Sequence, residues 1–575
     1  MTRWLPRVWP LVLAVVVLAP LAAPGYVLAY DMVFVPDLDL RADYFGLRET
    51  LPRAVPSDAV VALLSLALPG QVIQKAVLLA ALAGAAAGII RLLRGAPLVV
   101  RLVAATAFVW NPYVAERLLI GQWVVLVGHA ALPWVVDGAL QVRRGAPRGL
   151  AATVVAVAVA AMSPSGGLVA LVTALVVTWW PSGERAEVAS ARRDRVLLGI
   201  GAVAVNAPWM AAGLLSAGQA VTEAAGVEAF AARAEGHLPV WATVASLGGI
   251  WNSETVPDSR LTWVPAVWLV VLLVAAVLGW GGLGRQVGTH VRAALAFLGA
   301  LSLLVSLAGT VSPGALAAAM DGVPGLALLR DGTRYLGPLV LLQALLLGFA
   351  AGWLVARAKA RGTPRPLLVT VGALCILAPV AVLPDLAWGV GGRLTPTSYP
   401  DSWSAARAAV QRDGRSGDAL VLPLAPYRAY AWNDATPGLD PAGRFFPVVT
   451  RMSEALEVDD SPVQQEDPGA ERAARLFFEG DAAGLADEGV GFVVVDAELA
   501  KLAARADALG LELVYEASDL KVFGVPDAQD STTTAVRVVL VSIAWASCVL
   551  TLGGCVVGLV RRRDTRHYSG VRPSS

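Results

Sequence analysis

Apolar runs long enough to cross hydrocarbon recur along this chain, and nothing else constrains its fold as strongly. The first, "WPLVLAVVVLAPLAAPGYVLAY", ends at Tyr30, and comparable runs lie near 72–92, 123–141, 196–216, 367–384 and 534–560. About 18 consecutive apolar residues are needed for a span. Inside lipid only a continuous helix or a closed barrel pairs every backbone N–H and C=O. Charged residues make up 15% of the 575, against about 25% in a soluble domain. The sequence therefore predicts a polytopic α-helical membrane protein, with the first apolar run kept as a helix rather than removed as a signal peptide.

Charge divides the chain in two. The stretch from Asp385 to Thr533 holds 25 Asp/Glu and 12 Lys/Arg, a net of −13, while the remainder carries a net of +14. Basic loops stay on the cytoplasmic side. Arg3 and Arg7 place the N-terminus inside, so the stretch after Tyr30 faces out. "QVRRGAPRG", "GERAEVASARRDR", "GGLGRQVGTHVR", "RAKARGTPRP" and "RRRDTRHYSG" all fall inside if there are about twelve spans, two of them a short pair broken at "SPSGG".

The expected organisation is a membrane domain over 1–384, with outer loops at 31–71 and 217–262. An extracytoplasmic α/β domain follows over 385–533, then a last helix at 534–560 and a basic cytoplasmic tail at 561–575. In the acidic segment "SWSAARAAVQRD" is amphipathic and helical. "DALVLPL" and "GVGFVVVDAEL" read as buried strands, and "LELVYEASDLKVFGV" as two strands around a polar turn. Both termini are expected inside a cytoplasmic membrane.

Cys375, Cys548 and Cys555 lie in apolar runs and imply no disulfide framework. The four histidines are scattered, and there is no zinc motif or Walker loop. Asp137 is expected to pair with Arg143 and Arg144. Trp110, Trp123, Trp134, Trp179 and Trp180 are expected in an interfacial belt.

Ionisable residues at a membrane edge invite a functional reading, and they gather in three places. "DMVFVPDLDLRADYFG" brings Asp31, Asp37, Asp39, Arg41 and Asp43, followed by Arg48, Glu49 and Arg53. "NPYVAERLLIGQWVVLVGHAALPW" brings Glu116, Arg117, Gln122 and His129, the last two seven residues apart and so on one helix face. "LLRDGTRYLGP" brings Arg330, Asp331, Arg334 and Tyr335. The three converge in one cavity if the first, fourth and tenth helices are neighbours. A carboxylate beside arginines suits glycosyl transfer from a lipid-phosphate sugar. The carboxylate takes the acceptor's proton, and arginine neutralises the departing phosphate. No glycine-rich nucleotide loop is needed. Each residue also has a structural reading: solvated loop aspartates, snorkelling Glu116 and Arg117, and a helix–helix hydrogen bond for His129. "GGIWNSETVPDSR" in the second outer loop reads as a re-entrant segment, an acceptor-facing segment or a plain loop.

A first helix leading into an acidic loop, many further spans and an α/β domain near the end resemble the GT-C superfamily of integral membrane glycosyltransferases. "NPYVAERLLIGQWVVLVGHAALPWV" and "LPRAVPSDAVVALLSLALPGQVIQK" look like actinobacterial cell-envelope proteins, some similar to arabinofuranosyl- and mannosyltransferases. "SGDALVLPLAPYRAYAWN", "LADEGVGFVVVD" and "LELVYEASDLKVFGV" are similar to the exterior domain of YfhO-like proteins. The resemblance implies a polyprenyl-phosphate sugar donor, a cell-envelope glycan or glycolipid acceptor, and inverting transfer outside the membrane. It puts the catalytic acid in the first outer loop, where Asp31, Asp37 and Asp39 match. The paired acids of some members are missing, so all three stay open, as does a divalent cation at the aspartate loop. The rival readings are a non-catalytic membrane scaffold of envelope assembly and, third, a lipid or polysaccharide transporter. Nothing points to nucleic acid.

Overall fold

The computed structural model of the protein describes residues 4–49, 54–181, 189–216, 224–323, 325–452, 456–458, 461–463, 468–496, 499–530 and 533–564. Arg53, the start of the loop expected at 217–262, the first half of "GERAEVASARRDR" and the tail beyond 564 lie outside the described residues.

Among the described residues ten helices are long and apolar enough to cross a membrane. With two shorter apolar helices they run in chain order as α1 (Leu5–Ala22), α2 (Gly70–Leu92), α3 (Leu98–Leu119), α4 (Trp123–Arg143), α5 (Gly149–Ala160), α6 (Pro164–Trp179), α7 (Arg192–Ser216), α8 (Val264–Val287), α9 (Thr289–Val311), α10 (Gly332–Ala360), α11 (Arg365–Val382) and, after the α/β domain, α13 (Ala535–Val560). The short ones are α5 and α6, at about 18 and 24 Å for a rise of 1.5 Å per residue, less than a full hydrocarbon crossing. They are the pair that the sequence breaks at "SPSGG". Ser163 caps α6 by accepting from the Gly166 N–H at 3.1 Å, with Pro164 in the first turn. A Cβ on Gly128 of α4 would stand 2.9 Å from the Gly166 Cα, so small residues let these two helices touch.

Two local expectations are corrected. Asp137 accepts from Arg91 Nε at 2.8 Å, in the last turn of α2, and from Arg94 Nη1 at 3.0 Å, in the turn after it, not from Arg143 or Arg144. Arg143 instead donates to the carbonyls of Val177 and Trp180 that α6 leaves unpaired at its end. Trp110 and Trp123 are buried, Trp110 donating to the Leu383 carbonyl and Trp123 packing on Phe34. Packing, not an interfacial belt, holds these two.

The strands β1 (Tyr26–Val27) and β2 (Pro396–Thr397) pair antiparallel and tie the chain after α1 to the chain after α11. Next come α12 (Asp401–Asp413) and a mixed five-stranded sheet of β3 (Asp418–Leu422), β4 (Thr450–Arg451), β5 (Val490–Asp496), β6 (Glu512–Glu516) and β7 (Leu520–Gly524). The strand order is β6-β7-β5-β3-β4, with β3 parallel to both neighbours and β6–β7 the antiparallel edge hairpin. β3 is buried throughout and β5 at all but its last residue, as uninterrupted apolar runs in central parallel strands require.

The segment after α1 lies between the helices and this domain, and ion pairs fix it there. Buried Arg41 forks onto Asp43 at 2.6 and 3.1 Å, and its Nη1 donates to the carbonyls of Gly443, Phe446 and Val448. Asp39 accepts from Arg407 at 2.6 Å and Asp58 from Arg444 at 2.7 Å. From the other side Arg537 of α13 donates to the carbonyls of Gly46 and Arg48, and Trp545 to that of Phe45. Removing Arg41 strands Asp43 and three carbonyls together. Arg41→Ala is therefore expected to cost about 3 kcal/mol and to speed amide exchange across 443–448. Exchange matching the parent protein there would show that Arg41 is not the anchor.

Candidate functional site

The site begins with a break in α3. The helix stops at Trp110, and Asn111 restarts it by accepting from the Val114 N–H at 3.1 Å, with Pro112 at the first helical position. The restarted half carries Glu116 and Arg117 and ends at Gly121, whose φ of +77° only glycine adopts without strain. A Cβ there would lie 2.3 Å from both the Ala29 carbonyl oxygen and the Met32 nitrogen. Glycine thus lets the segment after α1 press against the α3–α4 corner. Its backbone bonds to that corner, Asp31 N–H to Ile120 O at 3.0 Å. Tyr30 turns the chain with φ +44°, a left-handed conformation costly for a bulky residue.

Asp31 is thereby held at the meeting of three segments. Its Oδ2 accepts from Gln122 Nε2 at 3.2 Å, and its Oδ1 accepts a short hydrogen bond from the Tyr427 hydroxyl of the α/β domain. Gln122 Oε1 takes a bond from Arg117 Nη1 at 2.6 Å. Arg117 is fully buried and donates to Thr333 Oγ1, with Asp331 at 3.6 Å. Asp331 accepts from Thr333 at 2.8 Å and from Arg334 Nε at 2.8 Å. Burial opposes the charge of Asp331, but Arg334 and Arg117 outweigh it and hold the carboxyl below the usual carboxylate range. The Arg334 side chain is 36% exposed and within electrostatic reach of Asp31. Its terminal nitrogens make no hydrogen bond among the described residues.

So Asp31, Arg117, Gln122, Asp331 and Arg334 come together, and the other candidates do not. Asp37 is exposed, with Tyr26 nearby. Asp39 and Arg41 dock the α/β domain. His129 Nε2 donates to the Phe108 carbonyl at 3.0 Å and its ring stacks on Phe108 at 4.0 Å, a packing contact between α3 and α4. Tyr335 donates to the Leu328 carbonyl at 2.7 Å. Arg330 lies over the Phe230 ring at 4.5 Å. Glu116 points away from Arg117's partners, towards buried Glu235 and Arg260, which pair at 2.6 Å.

None of Tyr427, Thr333, Tyr30, Asn252 and Glu254 was singled out as a site residue, although Thr333, Asn252, Glu254 and Tyr427 lie in stretches quoted above. Nothing in the tract around Tyr427 points to a partner 396 residues away. For a divalent cation the segment offers Asp31 alone at the cluster, Asp37 and Asp39 being directed elsewhere. Among the described residues no three His, Cys, Asp or Glu side chains are placed to hold a metal ion.

The architecture, apolar helices long enough to cross a membrane with a small sheet domain before the last of them, shares its fold with solved structures. One such solved structure is that of the arabinofuranosyltransferase AftD from Mycobacteria, with a TM-score of 0.55 and 19% identity over 92% of this chain and 40% of that one. A mutant of the same protein matches at TM-score 0.56 and 18% identity, over 92% of this chain and 42% of that one. The chain thus spans about 40% of the length of the solved protein it resembles. No family model and no curated protein matches its sequence.

The geometry around Gly121 gives a direct test. Gly121→Ala is expected to push residues 29–32 off the corner and destabilise the protein by more than about 1 kcal/mol, with faster amide exchange at Asp31 and Met32. A variant as stable and as protected as the parent would rule out this close approach.

Proposed function

We propose that the protein is a membrane glycosyltransferase. It moves a sugar from a polyprenyl-phosphate donor to a cell-envelope glycan or glycolipid on the outer face of the cytoplasmic membrane. The observation that supports this best is Asp31 held by Gln122 and Tyr427 beside Arg334, whose terminal nitrogens have no protein partner among the described residues. In this reading the Asp31 carboxylate takes the proton of an acceptor hydroxyl as its oxygen attacks the anomeric carbon. The anomeric C–O bond to phosphate breaks with inversion, and polyprenyl phosphate leaves with the electron pair. Arg334 pairs with its charge, and Asp331 and Arg117 fix Arg334 in place. Donor and product both stay in the bilayer, which accounts for a base at a membrane edge.

The fold likeness to an arabinofuranosyltransferase makes polyprenyl-phosphate pentofuranoses the first donors to assay. The basic loops support an orientation with both termini in the cytoplasm and the aspartate segment outside.

Asp31→Asn is expected to lower transfer by about 10²- to 10⁴-fold at normal expression, while Asp37→Asn and Asp39→Asn keep it. Arg334→Lys is expected to restore little of what Arg334→Ala loses, because an ammonium lacks the planar fork. The measurement is sugar transfer from labelled polyprenyl-phosphate donors in membranes, with the envelope glycan profile of a deletion strain complemented by each variant. Full transfer by the Asp31 variant would remove Asp31 as base. A deletion with no glycan change would favour the scaffold reading.

A further inference from the structure

The two oxygens of Asp31 meet different surroundings. Oδ2 belongs to the Gln122–Arg117–Asp331–Arg334 network, which suits an anion. Oδ1 meets Tyr427, and beyond it the chemistry changes. The rings of Tyr427 and Tyr30 lie 6.0 Å apart at 59°. The Tyr30 hydroxyl donates to Glu254 Oε2 at 2.5 Å, and the Asn252 side chain reaches the same hydroxyl. Burial and the Glu254 carboxylate push the Tyr30 hydroxyl up to about 12, so it remains a donor at neutral pH. Glu254 itself is exposed.

This side is built rather than loose. Asn252 Oδ1 accepts from the Glu254 N–H at 3.0 Å, and Arg393 donates to the carbonyls of Glu254 and Val256. Tyr30 packs with Ile120, Phe230, Ile250, Trp251 and Val256. The loop behind is fixed by the buried Arg260–Glu235 pair, with Arg260 Nη2 on Ser246 at 2.9 Å. Such support keeps a site within the narrow tolerance that recognition needs.

We propose that Tyr30, Tyr427, Asn252 and Glu254 form a carbohydrate subsite, the place where the acceptor glycan lies with one hydroxyl at Asp31. This rests on the transferase reading above for its word "acceptor". The chemistry selects the ligand class. Two aromatic faces suit the C–H face of a sugar ring. A carboxylate that only accepts, beside an amide that donates and accepts, suits neighbouring hydroxyls. The exposed Glu254 charge repels a phosphate, which leaves the arginine side to the donor. The segment "GGIWNSETVPDSR" is then acceptor-facing. The α/β domain, through Tyr427, takes part in choosing the acceptor.

The test uses the full-length protein in lipid nanodiscs and a panel of neutral tetrasaccharides from arabinan, mannan and galactan. Binding is followed by saturation-transfer NMR. At least one is expected to bind saturably, with Glu254→Gln weakening it about tenfold, the scale of one lost hydrogen bond to a charged group, and Tyr427→Leu, which removes the aromatic face, weakening it by a similar factor. Thermal stability should match the parent, and excess inorganic phosphate should not compete. No saturable binding by any member, binding unaltered in both variants, or competition by phosphate would each overturn the proposal. The transferase reading fails separately. Asp31→Asn should abolish transfer yet still bind the oligosaccharide, and a protein that binds oligosaccharide but never transfers sugar would leave the subsite standing without the reaction.

Discussion

Two consecutive residues join the halves of this molecule. Tyr30 pairs its backbone with the α/β domain, N–H to Pro437 O and C=O from Leu439 N–H, both at 2.8 Å, and Asp31 gives its N–H to Ile120 at the α3–α4 corner. Peptide groups buried between packed layers must find partners, and here the partners come from opposite sides. That arrangement requires the left-handed Tyr30, a strain of about 1–2 kcal/mol, and it requires Gly121 opposite. With both in place, the Asp31 side chain lies between Gln122 and Tyr427.

The same geometry accounts for the crowd of acids behind α1. Asp39, Asp43 and Asp58 meet Arg407, Arg41 and Arg444 where the segment and the α/β domain touch. A domain with a net charge of −13 thus presents arginines at this boundary. These pairs have a docking role, Asp37 is exposed, and of these acids Asp31 joins the arginine network beside Arg334, whose terminal nitrogens make no hydrogen bond among the described residues. The acids share one stretch of chain but divide into separate duties.

The spans were legible in the sequence because apolar length is a local property, and so were β3, β5 and the β6–β7 hairpin, whose runs are bounded by turn residues. The candidate site was half legible. Arg117, Asp331 and Arg334 stand out as charges at span ends. What the sequence cannot display is which distant surface meets them. His129 was placed on the face of Gln122 by spacing, but Gln122 lies just before α4 begins, and the ring packs on Phe108 instead. Asp137 had two basic neighbours in sequence and pairs with two others at and just after the end of α2. Tyr427 sits in an ordinary aromatic tract. Its importance comes wholly from a strand-like pairing between Tyr30 and Gly438, a contact decided by how the domain packs.

That distance has a consequence for how the protein is made. The network of Asp31, Gln122, Arg117 and Arg334 is complete by the tenth helix, but the Tyr427 contact, 396 residues along from Asp31, waits for the α/β domain. At 5–20 residues per second, synthesis leaves an interval on the order of tens of seconds between the first helix and that domain. The last helix follows later still, bringing Arg537 against the carbonyls of Gly46 and Arg48. During synthesis Asp31 therefore meets Ile120 and Gln122 well before it meets Tyr427.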